Sequence, residues 1–355
     1  MTPIDHYVAP GAGHCRRYWF DGRVGAVVSI GLAGTLAVVI AVASGLKLGA
    51  IPFALAGVVF WLLFLRLGLW RFLVGLWIII AGWLIWTIIV MAVTTVVNLG
   101  QGMPLPAALD AMRDLVQSRT PGGVMFQLIT FAGIWPATWA ALKLMHNQPF
   151  GTLFSPLGRI RWGDFGGGLA LAGGFWLVTL AISVSLVGMP ERTSLPMGTW
   201  LAALAPLAAL VFLQASGEEI IFRGYVLQQL AARYRSLAVW GFLPAFLFGL
   251  AHYGNGAELG IGWQYVAVTT LFGLAAAALV WRTGSLAAAM GMHTGMNMFS
   301  LSSVGLQGIV EGTQLYLYDR SGADILFAAD GAATLAILLF VLSPLCPFRS
   351  RVTTA

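Results

Sequence analysis

An apolar run at residues 72–96 contains no charged side chain and is long enough to cross a bilayer core as one helix, which takes about 20 residues. It is one of ten such runs, with approximate limits 24–46, 48–65, 72–96, 123–143, 165–188, 198–222, 236–253, 263–281, 285–305 and 325–345. With 9% of residues charged, 59% hydrophobic and a mean hydropathy of +0.86, the chain has too little charge to clothe a water-soluble surface. The reading is therefore an all-α, polytopic transmembrane helical bundle of ten spans, in which 48–65, bounded by Lys47 and Arg66, is short.

The few charges are distributed by side. If the N-terminus is cytoplasmic, 14 of the 19 basic residues fall on the inner side, among them Arg16, Arg17, Arg23, Arg66, Arg71, Lys143, Arg159, Arg161, Arg233, Arg235 and Arg282. An even number of spans returns Arg349 and Arg351 to that side, as the positive-inside bias requires. Both termini are thus expected in the cytoplasm. The net charge of +6 is accounted for by this bias, and no basic stripe suggests a nucleic-acid partner. Cys15 and Cys346 stand near opposite ends, which implies neither a disulfide framework nor a cysteine metal site. Residues 1–23 carry Asp5, His6, Arg16, Arg17, Asp21 and Arg23 and do not read as a cleaved signal peptide.

The longer outer connections, 97–122 and 306–324, carry acids such as Asp110, Asp114, Glu311, Asp319 and Asp324 and are expected to hold short interfacial helices. The Pro- and Gly-containing stretch 147–164 is the best internal boundary. The expected organisation is a cytoplasmic segment 1–23, motif-free spans within 24–146, a core at 165–305, and a loop, last span and tail at 306–355. No repeat supports an inverted-repeat transporter.

An ionisable side chain inside a span costs at least about 2.5 kcal/mol on insertion scales, so it marks a functional site by default. Glu218, Glu219 and Arg223 are the conspicuous cases, on the sixth run. Adjacent residues on a helix diverge by about 100°, so the two carboxylates have different surroundings. Glu219 and Arg223, at i and i+4, share a face as an ion pair would. Glu218 is left without that partner. By helical rise, Glu218 lies about 22 Å above Arg233 and His252 about 26 Å above Arg235, while Asn297, at i+4 from His293, lies about 22 Å above Arg282. Polar groups from three helices therefore converge on one level.

Each has a plainer reading. The charged cluster is also what snorkelling at an interface looks like. A lone His or Asn in a span is commonly interhelical glue, and His252 also suits the outer end of its run. Gly291 and Gly295 read as a close-packing groove, Phe248 as packing beneath His252, and Gln214, one turn before Glu218, as packing rather than cavity wall. His6, His14 and His146 lie in polar flanks.

At these residues the sequence resembles the CPBP family of intramembrane proteases, which includes CAAX prenyl endopeptidases, lysostaphin-resistance-type proteins and bacteriocin-immunity proteins. The motifs are Glu218-Glu219-Ile-Ile-Phe-Arg223, Phe248-Gly-Leu-Ala-His252 and His293-Thr-Gly-Met-Asn297, each on its own run. The resemblance implies an endopeptidase that cleaves a membrane-associated peptide or protein in contact with membrane lipid. Glu218 would be general base for a water, His252 would hold that water, and His293 and Asn297 would polarise the carbonyl and stabilise its oxyanion. Glu219, Arg223 and Phe248 would be structural support. Family naming implies a metalloprotease, for which Glu218, His252 and His293 are the available zinc ligands; a metal-free glutamate mechanism uses the same residues, and the chain has no His-Glu-x-x-His. Both stay open. The alternatives are a non-catalytic scaffold or immunity protein of the same fold and a proton-coupled transporter. Composition and short loops resemble a bacterial inner-membrane member.

Overall fold

The computed structural model describes residues 69–348. The runs at 24–46 and 48–65, His6, His14 and Cys15 lie outside the described residues. The rest forms ten helices and one small sheet. The helices are α1 (Leu69–Gly100), α2 (Leu105–Val116), α3 (Pro121–His146), α4 (Trp162–Val187), α5 (Met197–Ala231), α6 (Ala238–Ala251), α7 (Tyr253–Ala257), α8 (Gly262–Thr283), α9 (Leu286–Ser302) and α10 (Arg320–Leu342).

Six of these, α1, α3, α4, α5, α8 and α10, are long and apolar enough to cross a membrane. They face outward with the wrong side for water: α1 buries Phe72, Gly75 and Ile79 and exposes Trp77, Leu84, Ile88 and Val96. The protein is an integral membrane protein built as an all-α bundle. The ten-span count is not reproduced by the described residues, because the runs at 236–253 and 285–305 form helices shorter than a bilayer needs. For the second of these the reason is burial. In α9, 17 residues long, every side chain from Leu286 to Gly295 is enclosed by neighbouring helices, so protein rather than lipid sets its length.

Two glycines place α9. A Cβ on Gly291 would lie 2.0 Å from the Phe165 carbonyl oxygen, and one on Gly168 would lie 2.1 Å from that of Ala288, so α4 and α9 pack backbone to backbone. Gly295 admits Ala172 in the same way. The expected groove is thus filled by α4. On the other side Tyr225 joins α5 to α1: its hydroxyl donates to the Phe72 carbonyl at 3.1 Å, His146 Nε2 lies 2.8 Å from it, and Gly75 leaves it room. His146 is therefore part of a buried structural contact rather than a bare flank.

The outer connections differ from one another. Residues 97–122 contain α2, as expected. Residues 306–324 instead carry a strand: β1 (Glu191–Arg192), β2 (Val304–Leu306) and β3 (Tyr316–Tyr318) form a sheet in the order β1-β3-β2, antiparallel at the first pairing and parallel at the second. Helix begins there only at Arg320, where α10 starts. Thr193 extends β1 by donating from its backbone to Leu315 at 2.9 Å and from its hydroxyl to Gln314 at 2.9 Å. The stretch 147–164 crosses into the core, burying Leu153, Phe154 and Ser155.

At the opposite end of the bundle, Arg161 pairs with Asp164 at 2.9 Å and donates to the Thr283 carbonyl. Arg282 donates to the carbonyls of Val341, Cys346 and Phe348, which holds the chain after α10 against α8. Cys346 is a buried free thiol. One charge escaped the sequence reading: Asp330 lies in the middle of α10, half-buried.

Candidate active site

The α-helical part of α5 ends at Glu219, and the chain continues through a π-helical stretch, Ile220–Val226, before Leu227. A π turn inside a helix carries an extra residue and often accompanies a functional site. Here it carries Arg223, whose Nη1 donates to Glu219 Oε1 at 2.9 Å, with both side chains fully buried. The guanidinium also lies over the Phe248 ring at 4.4 Å. Space for it comes from Gly273 on α8, where a Cβ would stand 2.9 Å from Arg223 Nη2. The i, i+4 pair read from the sequence is thus present and compensates the Glu219 charge.

His293 comes from the centre of α9. Its Nδ1 is 2.8 Å from Glu219 Oε1, and since a carboxylate accepts, Nδ1 carries the proton. Its Nε2 faces Glu218 Oε2 at 3.6 Å, beyond a direct hydrogen bond. Phe272 and Phe248 meet the imidazole edge-on at 4.9 and 5.8 Å and fix its plane.

The two carboxylates therefore differ as their angular separation requires. Glu219 is bound to a cation and an imidazole. Glu218, 8% exposed, accepts no hydrogen bond from the described residues. Its Oε2 is sealed against His293, while Oε1 stays accessible.

His252 follows α6 as its C-terminal cap, with φ −98° and ψ 1°. Its Nδ1 lies 2.7 Å from the Phe248 carbonyl, an acceptor, so Nδ1 carries the proton and Nε2 keeps its lone pair. The ring packs 4.5 Å from Phe248 and lies parallel to Tyr265 of α8. Phe248 is thus the common wall of Arg223, His252 and His293, a larger role than packing under one ring.

Asn297, one turn beyond His293, donates from Nδ2 to Gln214 Oε1 at 2.8 Å. The structure brings Glu218, Glu219, Arg223, Phe248, His293 and Asn297 together across α5, α6 and α9, with His252 at the rim. Gln214, Phe272 and Gly273 are neighbours that sequence reasoning missed or assigned to packing. Gln214 alone carried a signal, its position one turn before Glu218.

His293 and His252 each turn Nδ1 to an acceptor, Glu219 Oε1 and the Phe248 carbonyl, as metal-bound histidines also do, which leaves both Nε2 atoms free; but among the described residues no three His, Cys, Asp or Glu groups lie together as metal ligands. Glu218, His252 and His293 as arranged do not fit a three-ligand centre.

Residues 199–299 match the family model of the type II CAAX prenyl endopeptidases, Rce1-like. The uncharacterized protein YyaK of Bacillus subtilis (strain 168) is 27% identical over 169 residues, covering 46% of this chain and 55% of that protein. The chain therefore spans about half the length of this curated relative. No solved structure matches the chain. The matched segment runs through α5, α6, α8 and most of α9 and contains every residue of the three motifs, so it is in this part that the chain is similar to the Rce1-like type II CAAX prenyl endopeptidases.

Proposed function

We propose that the chain is an intramembrane endopeptidase that hydrolyses a peptide bond in a membrane-associated peptide or protein, using Glu218 to activate water. The observation that carries this reading is the unlike state of the two carboxylates. Glu219 is neutralised by Arg223 and bound by His293, while Glu218 keeps an accessible, unpartnered Oε1. A general base needs such an unengaged atom within reach of its water.

In the proposed step, a water held at Glu218 Oε1 attacks the scissile carbonyl carbon and passes its proton to that oxygen. The oxyanion that forms faces Asn297 Nδ2 and, when protonated, His293 Nε2, donors that lie one helical turn apart on α9. His252 Nε2, with its lone pair free, would accept from the water. When the tetrahedral species collapses, the C–N bond breaks and the amine leaves with the proton held by Glu218. Buried donors act strongly because water is excluded.

The family description names CAAX prenyl endopeptidases, so prenylated peptides belong among the candidate substrates. The basic residues Arg71, Lys143, Arg159, Arg161, Arg235 and Arg282 gather at one end of the bundle, which we assign to the cytoplasm of a bacterial inner membrane by the positive-inside bias. The test is digestion of a library of lipid-anchored peptides, prenylated CAAX peptides included, by purified protein in detergent. Wild type should release products and Glu218→Gln should lower the rate by about 10²–10⁴-fold. Equal products from both would remove the site.

A further inference from the structure

Gln214 lies on α5 one turn before Glu218 and is 7% exposed. Burying a carboxamide is unfavourable unless its polar atoms are bonded. Its oxygen is bonded, to Asn297 Nδ2 at 2.8 Å across the α5–α9 interface. Its Nε2 has no partner among the described residues, yet unlike the sealed Oε2 of Glu218 it stays in contact with accessible space. Directly beyond the pair, Val124, Leu128, Leu207 and Val211 form an apolar cluster against which Met298 and Leu301 pack. The two amides therefore form a polar rung one turn from Glu218 and His293, bordered by apolar packing.

An amide side chain can present either its oxygen or its nitrogen to a neighbouring group, and only the nitrogen end stabilises an oxyanion. An acceptor on Gln214 settles that choice for Asn297. It holds one hydrogen of Nδ2, which fixes the nitrogen end of the amide against α5, and leaves the second Nδ2 hydrogen free to donate. An apolar residue at 214 would leave Asn297 free to rotate.

From this we infer that Gln214 is a positioning residue of the peptidase reaction: by accepting from Asn297 Nδ2 it fixes the Asn297 amide with its donor towards the scissile carbonyl. The inference rests on the endopeptidase reading above. It assigns to Gln214 an effect on turnover transmitted through Asn297, beyond interhelical cohesion.

The test is a double-mutant cycle of Gln214→Met, Asn297→Ala and the double variant, measured on a lipid-anchored library peptide whose cleavage by wild type depends on Glu218. Methionine conserves volume without the hydrogen bond. Gln214→Met should lower kcat about 10–100-fold, the scale of a misplaced catalytic group, with KM within about twofold. In protein already carrying Asn297→Ala, the same substitution should change kcat less than about threefold, since effects of residues acting as a unit do not add. Thermal unfolding in detergent is followed in parallel. A Gln214→Met protein that loses stability but keeps wild-type kcat per folded molecule overturns the inference. So does a full loss that persists in the Asn297→Ala background. Glu218-dependent cleavage with Gln214→Met unaffected rejects the role of Gln214 and leaves the parent reading standing. Absence of any Glu218-dependent cleavage across the library removes both.

Discussion

Replacing Gly291 by alanine tests the site without touching it. The added Cβ would stand 2.0 Å from the Phe165 carbonyl oxygen, where real contacts stay above 3.0 Å, so α4 and α9 must part by about 1 Å. Backbone atoms are on both sides of this contact, so no side-chain rotation relieves it. Overpacking of this kind costs about 1–3 kcal/mol. His293 is two residues further along α9, and its Nδ1 is 2.8 Å from Glu219 Oε1. A displacement of about 1 Å along that line exceeds hydrogen-bond range and frees the imidazole. A shift of that size at a catalytic group costs about 10²-fold in rate. The expected result is a lowered midpoint of thermal unfolding in detergent and a Glu218-dependent cleavage rate reduced about 10²-fold per folded molecule. Gly174→Ala is the control: it lies on α4 with nothing within 4 Å of its Cβ, and it should leave both measurements at wild-type values. Wild-type stability and rate in Gly291→Ala, or equal losses in both variants, would refute the backbone-to-backbone account.

Three more outcomes follow from buried charge and from the end of the chain. Arg223→Met leaves Glu219 enclosed without its cation and should cost about 3–5 kcal/mol, measured by denaturation in mixed micelles; adding Glu219→Gln should recover part of it. Glu218→Gln removes a charge that accepts no hydrogen bond from the described residues, so its unfolding midpoint should equal or exceed that of wild type while cleavage is lost. Arg282→Ala removes three hydrogen bonds to the carbonyls of Val341, Cys346 and Phe348, and the Cys346 thiol, 1% exposed, should then react with maleimide in a Cys15→Ser background where the parent does not.

The sequence exposed what depends on local chemistry and hid what depends on neighbours. Apolar length revealed the helices, and i, i+4 spacing revealed the Glu219–Arg223 pair, because both are properties of one helix. The shortness of α9 is not readable in this way. Buried helices are as apolar as lipid-facing ones, and what ends α9 at its start is Gly284 in the left-handed region, φ 63°, followed by Ser285. Gly273 gives no sign of admitting a guanidinium, since its role is defined by a side chain on another helix. Gln214 reads as packing until Asn297 is set opposite it. Strands of two or three residues are too short to show alternation, which is why 306–324 was expected to be helical. Asp330, in the middle of the last span, has no motif around it to mark it.

The three-stranded sheet also constrains the order in which the molecule is made. β1 precedes α5, yet its pairing partner, Tyr316–Tyr318, comes after α9. In synthesis from the N-terminus, α5, α6 and α9 are all translated before β3, so the strand that ties that end of the bundle is made after the helices that carry Glu218, His252 and His293. Closing a loop of such length is entropically slow and comes after local helix formation. A released chain truncated before Tyr316 would therefore contain Glu218, His252 and His293 but leave β1 unpaired, and in the full chain the last hydrogen bonds across the sheet form next to α10, the last helix to reach the bilayer.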